Sequence, residues 1–115
     1  MGMFDSVSST ALSSALDALS LRQRVSADNL ANLQTPGYQA QRVLFEDELA
    51  AAVRQGDGAV TGTVARSLEP TRTDGNNVNL DTETLVQIDT NLRYQLATQA
   101  MSGTFASVRT AMRTS

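Results

Sequence analysis

Residues 29–38 constrain the fold of this chain more than any other segment, because they specify where a long helix has to end. Pro36 has no amide hydrogen and disfavours the helical region for Thr35, so a helix cannot continue through these two positions. Gly37 then permits the positive φ that a Pro-Gly type II turn needs at its third position. The segment predicts a long helix, a sharp turn and, from Tyr38 onward, an extended chain.

The sequence before this turn has the apolar periodicity of a helix over residues 5–34, with Asp5 or Ser6 as its N-cap. Its leucines follow a 4-3 progression in which Gln23 and Ser26 occupy the two missing positions. We expect this line of leucines to pack against another helix. Its members are Leu12, Leu16, Leu19, Leu30 and Leu33.

A second stripe on the same helix consists of small and amide side chains. Its members are Ala11, Ala15, Ala18, Val25, Asn29 and Asn32. A stripe of this composition is typical of a solvated helix face. Because small residues allow close approach of helices and amides can pair without charge, the alternative is a contact surface for another chain.

The middle of the chain is expected to hold only short elements. Residues 38–45 are predicted to be extended, and residues 46–54 to form a short helix. The acids of its first turn and Arg54 in its last turn suit the helix dipole. Residues 55–79 are rich in Gly, Thr and Asn and predict a loop, with a possible brief strand within residues 60–68.

A second long helix is predicted over residues 81–113, with Asp81 as its N-cap. Two apolar stripes follow this helix, and they are offset around its axis. The first holds Leu85, Ile88, Leu92 and Leu96, and the second holds Tyr94, Met101, Phe105, Val108 and Met112. Because of the offset, the contact face is expected to rotate partway along the helix, as at a stutter in a coiled coil.

Together these elements predict one mainly α domain over residues 1–115. Its two long terminal helices are expected to pack as an antiparallel, coiled-coil-like hairpin. Residues 35–80 are expected to provide the turn, the extended segment, the small helix and possible short strands. Helices of this length present more surface than a small chain can bury by itself, which points to contacts with other subunits.

The composition excludes several classes of function. The chain has no cysteine and no histidine, and all nine of its basic residues are arginine, so the usual nucleophiles, general bases and metal ligands are missing. We therefore expect no enzyme, no cofactor and no small-molecule substrate. A net charge of −3 without a basic cluster argues against nucleic acid. The longest apolar run is too short for a membrane span, and no cleaved signal peptide is expected.

The acidic segment at residues 74–83 invites comparison with a calcium loop. An EF-hand loop needs glycine at its sixth position and an acid at its twelfth. Counted from Asp74, these positions hold Asn79 and Leu85. The calcium interpretation therefore fails, and the segment is interpreted as a turn that leads into the second helix.

Two motifs resemble those of bacterial flagellar axial proteins, which comprise rod, hook and hook-junction proteins. The first is the Asn-x-Ala-Asn-x-x-Thr-Pro-Gly-Tyr string at Asn29, Asn32, Thr35, Pro36, Gly37 and Tyr38. The second resembles proximal-rod members in particular, although Asn79 stands where an aspartate is usual. It comprises Asp74, Gly75, Asn76, Asn77, Val78, Leu80, Asp81 and Glu83, followed by Arg-Tyr-Gln-Leu-Ala-Thr-Gln at residues 93–99.

The resemblance implies a structural protein of the periplasmic rod in the flagellar basal body. It implies polymerisation through the terminal helices, and as partners further copies of the chain, other rod proteins and the MS-ring adapter. It also implies transport by the flagellar type III export apparatus without a cleaved signal peptide. A soluble helical-hairpin adaptor or secretion partner, which would form a discrete heterodimer rather than a polymer, is the alternative from another class.

Overall fold

A computed structural model of the protein describes residues 3–114, with side-chain surroundings at residues 7–103 and 109–113. The mainly helical architecture expected from the sequence is confirmed, since two long helices pack against each other around a short two-stranded segment. The elements in chain order are α1 (Met3–Ala31), β1 (Gln41–Leu44), α2 (Glu46–Arg54), β2 (Thr63–Arg66) and α3 (Leu80–Thr114).

Helix α1 begins earlier and ends earlier than the sequence predicts. Asp5 and Ser6, expected as caps, lie inside its first turns, and their side chains lie outside the described residues. At the other end the helix tightens, because the Leu33 amide donates to the Leu30 carbonyl in an i,i+3 hydrogen bond of 3.2 Å. A hydrogen bond of the same kind, from the Thr35 amide to the Asn32 carbonyl, follows at 3.1 Å.

The type II turn after α1 is confirmed. Gly37 has φ +77°, which a residue with a side chain rarely adopts. The Tyr38 amide donates to the Thr35 carbonyl at 3.2 Å and closes the four-residue turn. The chain then runs back along α1 in the opposite direction, which places β1 against the helix.

Strands β1 and β2 pair antiparallel, with Gln41 opposite Arg66 and Leu44 opposite Thr63. The expected extended segment thus holds β1, and the brief strand expected within residues 60–68 is β2. Helix α2 follows β1 almost directly.

The hydrophobic core is small and lies between α1, α2 and the paired strands β1 and β2. We call this strand pair the hairpin, although α2 lies between its strands in the sequence. It consists of Ala18, Leu19, Val25, Val43 and Phe45. This corrects the interpretation of the small, amide-rich stripe of α1, which was expected to face solvent or another chain. Its members Ala18, Val25 and Asn29 are buried within this chain, because Ala18 and Val25 belong to the core and Asn29 bonds Gln41 of β1. Ala11, Ala15 and Asn32 are half-buried.

Helix α3 packs antiparallel on α1 through polar contacts. The Gln23 side chain donates to Asn91 at 2.6 Å, and the Ser26 hydroxyl donates to Glu83 at 2.7 Å. Gln23 and Ser26 are the two positions at which the leucine progression of α1 is interrupted. Both interruptions are therefore points at which α1 bonds α3.

The start of α3 is capped by Asn79 and not, as expected, by Asp81. The Asn79 side-chain oxygen accepts a hydrogen bond from the Thr82 amide at 3.2 Å. Asp81 lies within the first turn, where its negative charge still suits the helix dipole. Asparagine and aspartate cap helices about equally well, so asparagine at position 79 keeps the cap.

The contact face of α3 does not rotate, in contrast to the prediction. Glu83, Thr90, Ala97 and Met101 lie at helical spacing along one face that is wholly or partly buried. The first leucine stripe lies on the opposite face and is exposed, at 67%, 61%, 55% and 57% for Leu85, Ile88, Leu92 and Leu96. Tyr94 lies at the same helical spacing but is 37% exposed, and the side chains of Phe105 and Val108 lie outside the described residues. Of the second stripe, Met101 is half-buried and Met112 is 73% exposed.

The molecule measures 66 × 25 × 14 Å along its principal axes. A helix with its side chains is about 10–12 Å across, so the molecule is little more than one helix thick in its shortest direction. Within the described part of the chain, the helices are too short or too polar to cross a membrane.

The loop between α2 and β2 depends on close contact with α1 at Gly58. Gly58 has φ +79°, and a Cβ atom there would lie 2.8 Å from the Val7 carbonyl oxygen. Gly56 has a similar φ of +84° with no atom within 4 Å of such a Cβ. Gly56→Ala therefore measures backbone strain alone, whereas Gly58→Ala adds a steric clash.

We expect Gly56→Ala to lower the free energy of unfolding by about 1 kcal/mol and Gly58→Ala by about 2–4 kcal/mol. Urea denaturation followed by circular dichroism measures both values. Equal losses for the two variants would contradict the close packing of this loop on α1.

Candidate functional site

The fold brings the two sequence motifs into direct contact, although they are about forty residues apart in the chain. The first motif forms the end of α1 and the turn, and the second forms the segment that enters α3. The Gly37 amide donates to the Asp74 carbonyl at 2.8 Å, and the Asn77 amide donates to the Tyr38 carbonyl at 3.2 Å. We call this region, formed by residues 29–42 and 72–83, the motif junction.

The centre of the motif junction is the carboxylate of Glu83, which is fully buried. It accepts hydrogen bonds from the Ser26 hydroxyl at 2.7 Å and from the Asn29 amide group at 3.0 Å. Arg42 forms an ion pair with the same carboxylate. A buried carboxylate is costly unless it is paired and hydrogen-bonded, and here donors from α1 and β1 satisfy one side chain of α3.

Asn29 joins α1 to the start of β1. Its side-chain oxygen accepts from the Gln41 amide at 3.0 Å, and its side-chain nitrogen donates to the Gln41 carbonyl at 2.9 Å. The amide side chain thus pairs with a residue of β1 as a neighbouring strand would. The Tyr38 hydroxyl makes a longer hydrogen bond of 3.4 Å to the same Asn29 oxygen.

Asn76 closes the C-terminal end of α1 and is fully buried. Its side-chain nitrogen donates to the carbonyls of Asn32 at 2.8 Å, Leu33 at 3.2 Å and Thr35 at 2.8 Å. Arg72 also donates to the Leu33 carbonyl. The last carbonyls of a helix have no partner within the helix, so the second motif supplies the cap that the first motif lacks.

Asn77 fixes the strand side of the motif junction. Its side-chain oxygen accepts from the Ala40 amide at 2.6 Å. Its side-chain nitrogen donates to the carbonyls of Ser67 and Glu69 at 3.3 Å and 3.2 Å. Asn77 therefore ties the segment before α3 to the chain on both sides of the hairpin.

The surroundings of Tyr38 raise the pKa of its phenol. Burial is the main cause, and the negative charges of Asp28 and Glu83 add to it. Each of these effects disfavours the phenolate. The hydroxyl that bonds Asn29 is thereby kept in its neutral form.

A second charged group lies on the surface beside the core. Arg22 donates to Glu46 at 3.0 Å and to the Val43 carbonyl at 2.7 Å, and its guanidinium lies 4.9 Å from the centre of the Phe45 ring. Burial opposes ionisation of Glu46, but hydrogen bonds from Arg22 and from backbone amides outweigh it, so the pKa of Glu46 is lowered. This group fastens β1 and α2 to α1.

No group of three or more acidic side chains that could hold a metal ion occurs among the described residues. A cavity of about 240 Å³ adjoins the motif junction, between α1, β1 and α3. Arg42 Nη2 and Thr90 Oγ1 lie buried on its wall without hydrogen-bond partners. The Glu83 carboxylate is already bonded on both oxygens, which makes it a structural group.

The structure places the predicted motif residues in two environments. Asn29, Asn76, Asn77, Val78 and Glu83 are buried in the motif junction. Most of the others lie at its surface: Asn32, Tyr38 and Gly75 are half-buried, and Thr35, Pro36, Gly37, Asp74, Leu80 and Asp81 are exposed. Of the predicted α1 leucines, Leu19 is buried, and Leu12, Leu16, Leu30 and Leu33 are half-buried.

Sequence reasoning missed the residues that complete the motif junction from outside the motifs. Arg42 pairs with Glu83, Arg72 caps α1, and the Gln39 side chain donates to the Gly75 carbonyl. The only signal in the sequence was the polar interruption of the leucine progression at Ser26. Arginines in a loop and a strand carry no periodicity that marks them as buried partners.

Comparison with known proteins agrees with this geometry. Residues 10–39, which include the first motif, match the family described as flagella basal body rod protein. The chain is 33% identical to flagellar basal body rod protein FlgB of Escherichia coli strain K12 over 112 residues, covering 77% of this chain and 80% of that protein. The chain belongs to the FlgB family.

Other members of the family are similarly close. FlgB of Borrelia hermsii is 34% identical over 116 residues, covering 81% of this chain and 86% of that protein. FlgB of Bacillus subtilis strain 168 is 28% identical over 115 residues, covering 88% and 89%. The proximal-rod resemblance is thus confirmed, and a helical-hairpin adaptor outside the rod is not favoured.

Because Glu83 is buried in an ion pair, replacing its carboxylate with an amide should lower stability more than the same replacement at an exposed position of α3. Glu83→Gln leaves Arg42 without its counter-charge and places an NH₂ group, which can only donate, beside other hydrogen-bond donors. We therefore expect the free energy of unfolding to fall by about 2–4 kcal/mol. Asp89, which pairs with Arg93 at 2.8 Å and is 53% exposed, is the matched control. Asp89→Asn should change stability by at most about 0.5 kcal/mol.

Chemical denaturation of the two variants measures this difference. If Glu83→Gln proved as harmless as Asp89→Asn, the motif junction would not depend on the carboxylate.

The raised pKa of Tyr38 predicts a loss of stability in alkali. The folded pKa is raised, so its contribution to stability is complete below the unfolded pKa of about 10 and disappears as the pH rises through the folded value. Tyr94→Phe leaves Tyr38 as the chain's sole tyrosine. In that variant the phenolate absorbance should rise at higher pH in folded than in urea-unfolded protein, and Asp28→Asn should reduce the gap. Coinciding titrations would contradict the burial of this phenol.

Proposed function

We propose that this FlgB-family chain is a structural subunit of the proximal rod of the bacterial flagellar basal body. In this proposal it polymerises through its terminal helices, which form the drive shaft needed for motility. Its relatives are flagellar basal body rod proteins by name. We extend that role to this chain.

The observation that carries the proposal is the exposed leucine stripe of α3. Leu85, Ile88, Leu92 and Leu96 follow one another at helical spacing and are all more than half exposed. A continuous apolar stripe on the outside of a helix is typical of a surface that another protein covers. The motif junction meanwhile holds α1 and α3 in one register, so the stripe is presented on a fixed frame.

The proposed partners are further copies of the chain, other rod proteins, the MS-ring adapter at the rod base and the flagellar type III export apparatus. The proposed location is the periplasmic rod, reached without a cleaved signal peptide. The proposal includes no catalytic step. It is supported by the absence of His, Cys and Lys from the sequence and by the structural use of the buried Glu83 carboxylate.

An in-frame deletion, scored by swimming and by electron microscopy of purified basal bodies, tests the proposed function. Loss of rod, hook and filament, restored by a plasmid copy, is the expected result. Intact basal bodies in the deletion strain would overturn the proposal. A discrete heterodimer isolated from cells, without a polymer, would favour an adaptor.

The exposed stripe yields a sharper prediction in the same strain. Leu92→Gln keeps helix propensity and removes apolar surface, so the monomer should stay folded while rod assembly and swimming are lost. Leu68→Gln is the matched control, because Leu68 is 99% exposed but lies in the loop after β2 and not in the stripe. It should restore swimming fully. Circular dichroism of both purified variants separates a folding defect from an assembly defect, and normal swimming with Leu92→Gln would exclude the stripe from assembly.

A further inference from the structure

An open apolar groove of about 590 Å³ runs along the side of the molecule that carries α2. Helix α1 forms its floor, and helices α2 and α3 form its walls. Small and aliphatic residues line it, and charged residues stand at its rim. The lining comprises Ala15, Leu19, Phe45, Leu49, Ala50, Val53 and Ala97 with the rim residues Glu46, Arg54 and Arg93.

The shape of this groove suits a helix. Alanines on all three bordering helices, Ala15, Ala50 and Ala97, leave room for the close approach at which packed helices lie, about 8–10 Å between axes. Val53 is 43% exposed and Leu49 is half-buried, so apolar surface remains uncovered along the α2 wall.

The leucine stripe of α3 matches this groove in length. From Leu85 to Leu96 the stripe extends about 16 Å, and α2, which forms one wall of the groove, extends about 13 Å at the same rise per residue. The stripe lies on the α3 face that points away from α1, so one molecule cannot place its own stripe in its own groove.

The charges at the two surfaces are complementary. Arg54 at the groove rim and Asp81, one turn before Leu85 on the stripe, form no ion pair among the described residues. The other rim charges are already engaged, since Glu46 pairs with Arg22 and Arg93. Arg54 is thus the cation at the rim that remains for an incoming acid.

We propose that the groove receives the leucine stripe of α3 from a second copy of this chain, with Asp81 of that copy beside Arg54. The inference rests on the proposed function and specifies how one subunit contacts the next. The incoming helix lies antiparallel to α2 and to the α3 of the receiving copy. Three helices of one copy and one of the next thereby form a four-helix arrangement.

This contact joins two different surfaces, so docking of two copies leaves one groove and one stripe free. A copy whose groove is filled still presents its own stripe, and a copy whose stripe is docked still presents an empty groove. Heterologous contacts of this kind generate open helical polymers when the rotation between copies does not close a ring. The groove and stripe thus provide one repeated head-to-tail contact between successive copies.

Cross-linking between two single-cysteine variants tests the proposal, because the natural chain has no cysteine. Arg54→Cys and Asp81→Cys proteins are mixed in equal amounts and treated with a short bis-maleimide, since cysteines with Cα atoms more than about 7 Å apart cannot form a disulfide directly. Any link between positions 54 and 81 must then join two copies. Tryptic peptides analysed by mass spectrometry identify the linked positions.

We expect the 54–81 link to exceed the 54–54 and 81–81 links by about tenfold, and Leu92→Gln in the Asp81→Cys copy to remove it. Arg66→Cys, which replaces an exposed arginine on β2 away from the groove, is the matched control and should not link to position 81. Equal yields of all links, or a 54–81 link that survives Leu92→Gln, would overturn the proposal.

Charge exchange provides a second test on folded protein. Arg54→Glu or Asp81→Arg alone should weaken self-association in sedimentation experiments by about tenfold, and the two changes in one chain should restore it. Failure of the restoration would exclude the Arg54–Asp81 pairing. These outcomes are separable from the proposed function. If the deletion strain lacks rods and the purified protein fails both tests, the proposed rod role stands and only this contact is excluded.

Discussion

The buried carboxylate of Glu83 sets the register of the whole molecule. Its three donors come from Ser26 and Asn29 on α1 and from Arg42 on β1, so α3 can bond both elements only at one position along their length. A shift of α3 by one turn would leave the carboxylate buried without partners, at a cost of several kcal/mol. The apolar core lies elsewhere, between α1 and the hairpin. Burial of apolar surface thus stabilises the packing of α1 on the hairpin, and the polar contact at Glu83 determines the position of α3 along α1.

The two motifs form one structural unit. The Pro-Gly turn ends α1 abruptly and leaves its last carbonyls without partners within the helix. Asn76 and Arg72 supply those partners from the segment that precedes α3. Asn29 supplies a side-chain amide that pairs with β1. Each motif satisfies polar groups that the other leaves open, so α1, the hairpin and α3 are fixed relative to one another.

Local chemistry was sufficient to predict the helices, the type II turn and α2, because periodicity, proline, glycine and the helix dipole act within a few residues. The orientation of each helix was not predictable in this way. The leucine stripe of α3 was assigned to helix packing or an interface, and the monomer leaves it exposed. The stripe of α1 with Ala18 and Asn29 was assigned to solvent or a partner chain, and the structure buries both of these residues within the monomer. An apolar stripe indicates a surface that packs against another element, but that element can belong to another chain.

The energy available from one stripe sets a limit on how the chain can assemble. Burying the exposed parts of Leu85, Ile88, Leu92 and Leu96 is worth about 4–7 kcal/mol in all, at about 1.5–3 kcal/mol for each fully exposed side chain. Association costs about 4–15 kcal/mol in lost freedom of motion, so a single stripe gives a weak pair at best. Stable assembly therefore requires each subunit to make several contacts at once, as in a tubular polymer. A molecule only 14 Å thick, with the whole leucine stripe of α3 exposed, meets that requirement because much of its surface is available to neighbours.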